Sequence, residues 1–192
     1  MSDIMNISEK GRLRKLALSN RDSLSLLERE QYSAAILNKL MSLPQVQAAK
    51  VVMCYRSFRS EVDTSKIVEN FLLSGKVLCF PVCEKGGIMH SYCPNDEAAW
   101  KKSPMGIMEP DRENSRLIAP EDIELVICPL VAFDDKRQRL GYGGGYYDRY
   151  LPQCKNALVA GIAFETQRLE RVPTDEHDLN MDIIVTEKNI YT

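Results

Sequence analysis

The sequence lacks most of the patterns that announce metals, membranes or nucleic acid. It has two histidines, His90 and His177, far apart and without metal-ligand spacing. Six cysteines are present, yet no C-x-x-C pair occurs, which argues against a zinc site. Cys54, Cys79 and Cys128 lie inside apolar, strand-like runs, where cysteine behaves as a small hydrophobe. Reduced core thiols are therefore expected. No apolar run approaches the roughly 18 residues of a membrane span. The first residues, Met-Ser-Asp-Ile-Met-Asn-Ile-Ser, lack the charged-then-apolar layout of a secretory signal, so a cytoplasmic location is the default expectation. A net charge of −2 gives no strong field, which argues against general nucleic-acid binding. There is no internal repeat and no low-complexity tract.

What is present is an ordinary globular balance. Hydrophobic residues make up 44% of 192 and charged residues 27%, enough for one domain with a sizeable core and no need of disulfides. Residues 8–22 read as a basic helix with Leu13, Leu16 and Ala17 as its apolar stripe. Lys10 and Arg14, four apart, share a face. Ser25-Leu-Leu-Glu28 is a capping box opening a second helix through about Leu40, with Tyr32, Ala35, Ile36, Leu37 and Leu40 inward. Lys50–Tyr55 is a buried strand. Val62-Asp-Thr-Ser65 caps a helix to about Leu73, and Gly75 ends it. Val77–Val82 is the next strand, and Gly86-Gly87 turns into residues 88–92. Strand, helix, strand in this order predicts a right-handed crossover and a parallel sheet. Residues 94–122 read as an irregular lid or binding loop. Leu125–Cys128, Ala157–Phe164 and Asp182–Val185 complete the strands. The expectation is a single α/β domain over 1–192. It is a three-layer sandwich of five or six mostly parallel strands with helices on both faces.

Four of the ten glycines fall within five positions, in Arg139-Leu-Gly-Tyr-Gly-Gly-Gly-Tyr-Tyr-Asp-Arg149. Glycine admits positive φ and close approach of a ligand to the main chain. Successive N–H groups in such a loop can form an anion nest, and the helix predicted from Tyr146 would add its dipole. A plain turn needs fewer glycines and no flanking Arg139, Asp148 and Arg149. The stretch is not a Walker A loop, because no Gly-Lys-Ser/Thr ends it. It is not a dinucleotide fingerprint, because Tyr146 stands where the third glycine belongs. It follows a predicted strand's carboxyl end, where ligands of open α/β sheets bind.

This stretch, with Phe133-Asp134 before it, resembles the 5-formyltetrahydrofolate cyclo-ligase family. Lys10-x-x-Leu-Arg14, Tyr55, Glu61-Val62, Gly106-Ile-Met-Glu-Pro110, Gln167, His177-Asp178 and Asp182 match the same family in order. The resemblance implies a cytoplasmic enzyme of one-carbon metabolism that uses ATP and Mg2+. It would cyclise 5-formyltetrahydrofolate to 5,10-methenyltetrahydrofolate through a phosphorylated formyl group, releasing ADP and phosphate. It implies ATP contacts from Lys10, Arg14, Arg139, Leu140, Gly141, Tyr142, Gly143, Gly144, Gly145, Tyr146 and Tyr147. It implies folate contacts from Tyr55, Arg56, Glu61 and residues Tyr142 to Tyr146. Arg139 and Tyr146 would act at the reacting group, and Asp148 and Asp182 would hold magnesium. The partners implied are 5-formyltetrahydrofolate and ATP, with no nucleic acid or membrane, for a monomer or small homo-oligomer. Three positions depart from the family pattern: Arg137 for glycine, Tyr142 for arginine, and Met105 for an aromatic. A different ATP-dependent ligase or kinase, or a non-catalytic folate- or nucleotide-binding protein, are the competing readings.

Overall fold

The computed structural model describes residues 2–96, 98–103, 106–175 and 178–192, with side chains from residue 9 onward. Met105 and His177 therefore lie outside the described residues. Helix α1 spans Ser2–Asp22, α2 Leu26–Met41, α3 Pro44–Ala48, α4 Ser65–Leu73 and α5 Tyr146–Tyr150. The predicted capping box opens α2: the Glu28 amide donates to Ser25 Oγ, and the Ser25 amide donates to Glu28 Oε2.

The strands are β1 Val51–Cys54, β2 Val77–Cys83, β3 Met89–Pro94, β4 Trp100–Lys102, β5 Met108–Pro110, β6 Ser115–Ile118, β7 Leu125–Pro129, β8 Ala132–Phe133, β9 Arg139–Leu140, β10 Leu158–Ile162, β11 Ile183–Val185 and β12 Ile190–Tyr191. Eight of them form one sheet in the order β12-β11-β10-β7-β1-β2-β3-β6. Its centre, β11-β10-β7-β1-β2, is parallel, as the crossover order predicts. Both flanks are antiparallel: β12 on one side, β3 and β6 on the other.

Strand alternation divides the core into two faces. Val52, Cys54, Leu78, Phe80, Leu125 and Ile127 face α2, α3 and α4, where they meet Ile36, Val46, Ile67 and Phe71. Met53, Cys79, Val126 and Cys128 face the other way, onto Phe133, Tyr150 and Leu151. A third cluster seats Leu13 and Ala17 of α1 on Val131, Ala132 and Leu140. Leu16, expected in that stripe, is exposed, and all six cysteines are free thiols. Among the described residues no helix is long and apolar enough to cross a membrane.

The described residues within 94–122 are more regular than expected. It holds the β4–β5 hairpin and the edge strand β6. Trp100 fixes the hairpin, with its ring 4.9 Å from Phe80 and the Arg56 guanidinium 4.5 Å over it. A second small hairpin, β8–β9, follows β7 and was not visible in the sequence pattern. Buried Asp134 shapes its turn, accepting the Lys136 and Gln138 amides on one oxygen and the Val172 amide on the other. Arg137 in that turn has φ 62°, a conformation that favours glycine.

Candidate active site

The β8–β9 hairpin delivers Arg139 into the protein, and the glycine loop 141–145 leads from it into α5. Arg139 is 7% exposed. One nitrogen donates to Cys128 Sγ at 3.1 Å, and another pairs with the Asp148 carboxylate. Burial works against its charge, but Cys128 and Asp148 leave its pKa raised above the ordinary arginine value. Its Nε is buried without a hydrogen-bond partner, and so is the Tyr147 hydroxyl. The Arg139 guanidinium lies 5.6 Å over the Tyr147 ring.

Four side chains outside the loop hold it. Arg14 Nε donates to the Gly141 carbonyl at 2.7 Å. The Tyr142 hydroxyl donates to Glu61 Oε1 at 2.7 Å and accepts from Arg21 at 3.0 Å. Arg149 donates to the Gly144 carbonyl at 2.5 Å and to the Gly87 carbonyl at 3.0 Å. Sequence reasoning missed Arg21 as a loop partner and Gly87 as the partner of Arg149, because pairing over 121 and 62 positions leaves no local pattern.

Glu61 joins the loop to the β1–α4 segment. Its second oxygen accepts the Phe58 amide at 2.8 Å. Burial raises its pKa, while Tyr142, the Phe58 amide and Arg21 pull the other way. Arg56, on the Trp100 ring, belongs to the same segment. Glu61 and Arg14 thus both meet the loop, which follows β7 through the β8–β9 hairpin that carries Arg139.

Several expected contacts are placed differently. Tyr55 is a core residue whose hydroxyl donates to the Val62 carbonyl at 3.3 Å, because it continues a buried strand. The Leu140 side chain packs in the α1 cluster. The Tyr146 hydroxyl is turned to the Glu84 carbonyl at 3.1 Å, so the ring braces α5 and the phenol is not free for a reacting group. Lys10 is buried and donates to Asp175 at 2.6 Å and Asp178 at 2.5 Å. Burial opposes its charge, but the two carboxylates raise its pKa. These two bonds take two of the three ammonium donors.

The two expected magnesium ligands are not joined. Asp148 is held by Arg139, whereas the Asp182 carboxylate accepts the Val159 amide at 2.7 Å, just before β11. Asp182 satisfies a backbone donor at the start of β10, and no contact links it to Asp148. Among the described residues no group of three or more His, Cys, Asp or Glu could hold a metal. Magnesium needs only one or two carboxylates beside phosphate oxygens, so Asp148 alone fits such a site.

The family profile described as the 5-formyltetrahydrofolate cyclo-ligase family matches residues 6–187. The chain belongs to this family. A solved relative, 5,10-methenyltetrahydrofolate synthetase from Aquifex aeolicus, is 37% identical and superposes with a TM-score of 0.83 over 94% of this chain and 91% of that one. The Haemophilus influenzae 5-formyltetrahydrofolate cyclo-ligase is 29% identical over 94% of this chain and all of its own length. A Mycoplasma pneumoniae 5,10-methenyltetrahydrofolate synthetase, 24% identical with a TM-score of 0.76, shares the fold.

Proposed function

We propose that the chain catalyses the ATP- and magnesium-dependent closure of 5-formyltetrahydrofolate to 5,10-methenyltetrahydrofolate, with release of ADP and phosphate. The observation that carries this reading is the buried Arg139, paired with Asp148 beside a glycine loop that is held from outside by Arg14, Glu61 and Arg149, in a member of this family. Phosphoryl transfer needs positioning and charge neutralisation more than covalent chemistry from the protein. Arg14 and the loop amides would hold the triphosphate. Arg139 would stabilise charge on the transferring group. Asp148 would supply a carboxylate to magnesium, which neutralises phosphate charge when bound.

On the folate side, Glu61 would accept hydrogen bonds from the donor edge of the pterin, with Arg56 and Tyr142 beside it. The formyl oxygen attacks the γ-phosphorus, and the bond to ADP breaks. Nitrogen 10 then attacks the formyl carbon and loses its proton, and phosphate leaves with the oxygen. Tyr146 serves as a brace of α5 in this scheme. The test is to mix the protein with 5-formyltetrahydrofolate and MgATP and follow the near-ultraviolet band of the methenyl product. The band should rise only when folate, ATP and magnesium are all present. Tight binding of both ligands with no ADP formed would instead identify a binding protein.

A further inference from the structure

The glycine loop contains only flexible residues at its centre, yet its peptide planes are fixed from outside. A trans peptide points its C=O and the following N–H in opposite directions, and no peptide in the described chain is cis. Arg149 holds the Gly144 carbonyl, so the Gly145 N–H is turned away from the guanidinium. Arg14 holds the Gly141 carbonyl, so the Tyr142 N–H is likewise turned away from Arg14. Gly143 at φ 100° and Gly145 at φ 64° supply the left-handed corners between them.

Arg149 has a built seat on the far side. Its Nε donates to the Gly87 carbonyl in the β2–β3 turn, and its guanidinium lies 5.9 Å over the Tyr146 ring. Gly87 has φ 80°, and a Cβ there would stand 1.9 Å from Arg149 Nη2. A Cβ at Gly145 would stand 2.7 Å from Nη1. Two glycines, 58 positions apart, thus leave the space that this one guanidinium fills.

We propose that Arg149 is a positioning residue for the nucleotide, and that Gly87 is its required seat. By tying the β2–β3 turn to the glycine loop, Arg149 aims the Gly145 amide at the triphosphate before ATP arrives. This rests on the reading that the loop holds the triphosphate. A loop aimed in advance binds its anion without the cost of ordering four glycine-rich linkages. Arg149 touches neither phosphate nor folate in this role, so its loss acts on ATP alone.

The experiment compares Arg149→Ala, Arg149→Lys and Gly87→Ala with the parent protein. It measures KM for each substrate, calorimetric affinity for a non-hydrolysable ATP analogue without folate, affinity for adenosine, and thermal melts. Arg149→Ala should raise the ATP KM and weaken the analogue by about tenfold or more, as expected when binding must order one or more backbone residues that were ordered in advance. The folate KM and the affinity for adenosine should change by less than about twofold on the same principle, since neither ligand meets the triphosphate amides. Lysine keeps the charge but cannot span both carbonyls, so Arg149→Lys should recover only part of the loss. Gly87→Ala should reproduce the alanine phenotype, and the double variant should be no worse than Arg149→Ala. An unchanged ATP KM in Arg149→Ala, additive losses in the double variant, or equal losses for ATP and folate would each overturn the proposal. If Arg149→Ala does not fold, Gly87→Ala and Arg149→Lys decide the matter. Failure of the parent protein to bind the analogue would overturn the reading of the loop itself, which is a separate result.

Discussion

Single residues carry the pH and metal forecasts for the candidate site. Glu61 is the clearest titrating group. Burial pushes its pKa up, and the Tyr142 hydroxyl opposes that push by bonding the ionised form. Only the carboxylate offers full charge to a donor edge, so the folate KM should rise as pH falls through this raised pKa. The acid limb should lie above the usual glutamate range. Tyr142→Phe removes a bond that favours the ionised form, so it should move the limb to still higher pH. A pH profile of the folate KM for both proteins checks this; an unmoved limb would detach Glu61 from folate. Asp148 makes a second forecast. It is the carboxylate partner of buried Arg139, so Asp148→Asn should lower both turnover and Tm. A metal role adds a distinct mark, a higher magnesium concentration for half-maximal turnover. If turnover and Tm fall while the magnesium midpoint stays put, Asp148 only anchors Arg139.

Elements divide the labour between stability and chemistry. Helix α4 sits on the sheet face opposite the β8–β9 hairpin and α5, with Phe71 fully buried there. Phe71→Ala should cost about 3–5 kcal/mol by cavity formation. On a chain of this size that is a fall of roughly 6–20 °C in Tm, while kcat at low temperature stays near the parent value. A calorimetric melt beside an assay at about 15 °C tests both halves; a large loss of kcat with little change in Tm would reverse the assignment. The elements also show where sequence reading stops. The strands β1, β2, β7, β10 and β11 are buried on both faces, so their apolar runs stand out in the sequence. Strand β6 is an edge strand with Arg116 and Leu117 exposed, so it has no such run. The strands β8 and β9 have two residues each, too short for any period to show.

At the scale of the whole molecule, the site draws on α1, the β1–α4 segment, the β2–β3 turn, the β8–β9 hairpin and α5 together. A ligand that binds only this assembled form must stabilise the fold by mass action. Saturation with MgATP at about a hundred times its Kd should add about 2.7 kcal/mol, or roughly 5–10 °C in Tm. A differential melt with MgATP and with magnesium alone measures it, and no shift would mean that the site is not formed as described. Trp100 gives an independent view, because it is the only tryptophan. It stacks under Arg56, so folate should change its emission, whereas nucleotide alone should change it far less.

The sequence by itself determined the parallel centre of the sheet, the capped second helix and the place of the glycine loop after a central strand. Those features are written in contiguous residues: apolar runs, a capping box, a cluster of glycines. Through the order of its motifs it also pointed to the family. The tertiary structure alone decided how the loop is held and which charges are free. Arg149 finds Gly87, Arg21 finds Tyr142, and Lys10 finds Asp175 and Asp178, across separations that no local pattern records. It also took Asp182 and the Tyr55 and Tyr146 hydroxyls for backbone partners. The physical reason is that polar groups shut away from water must find partners near at hand. Which groups lie near is set by the packing of distant segments, and a motif read along the chain does not contain it.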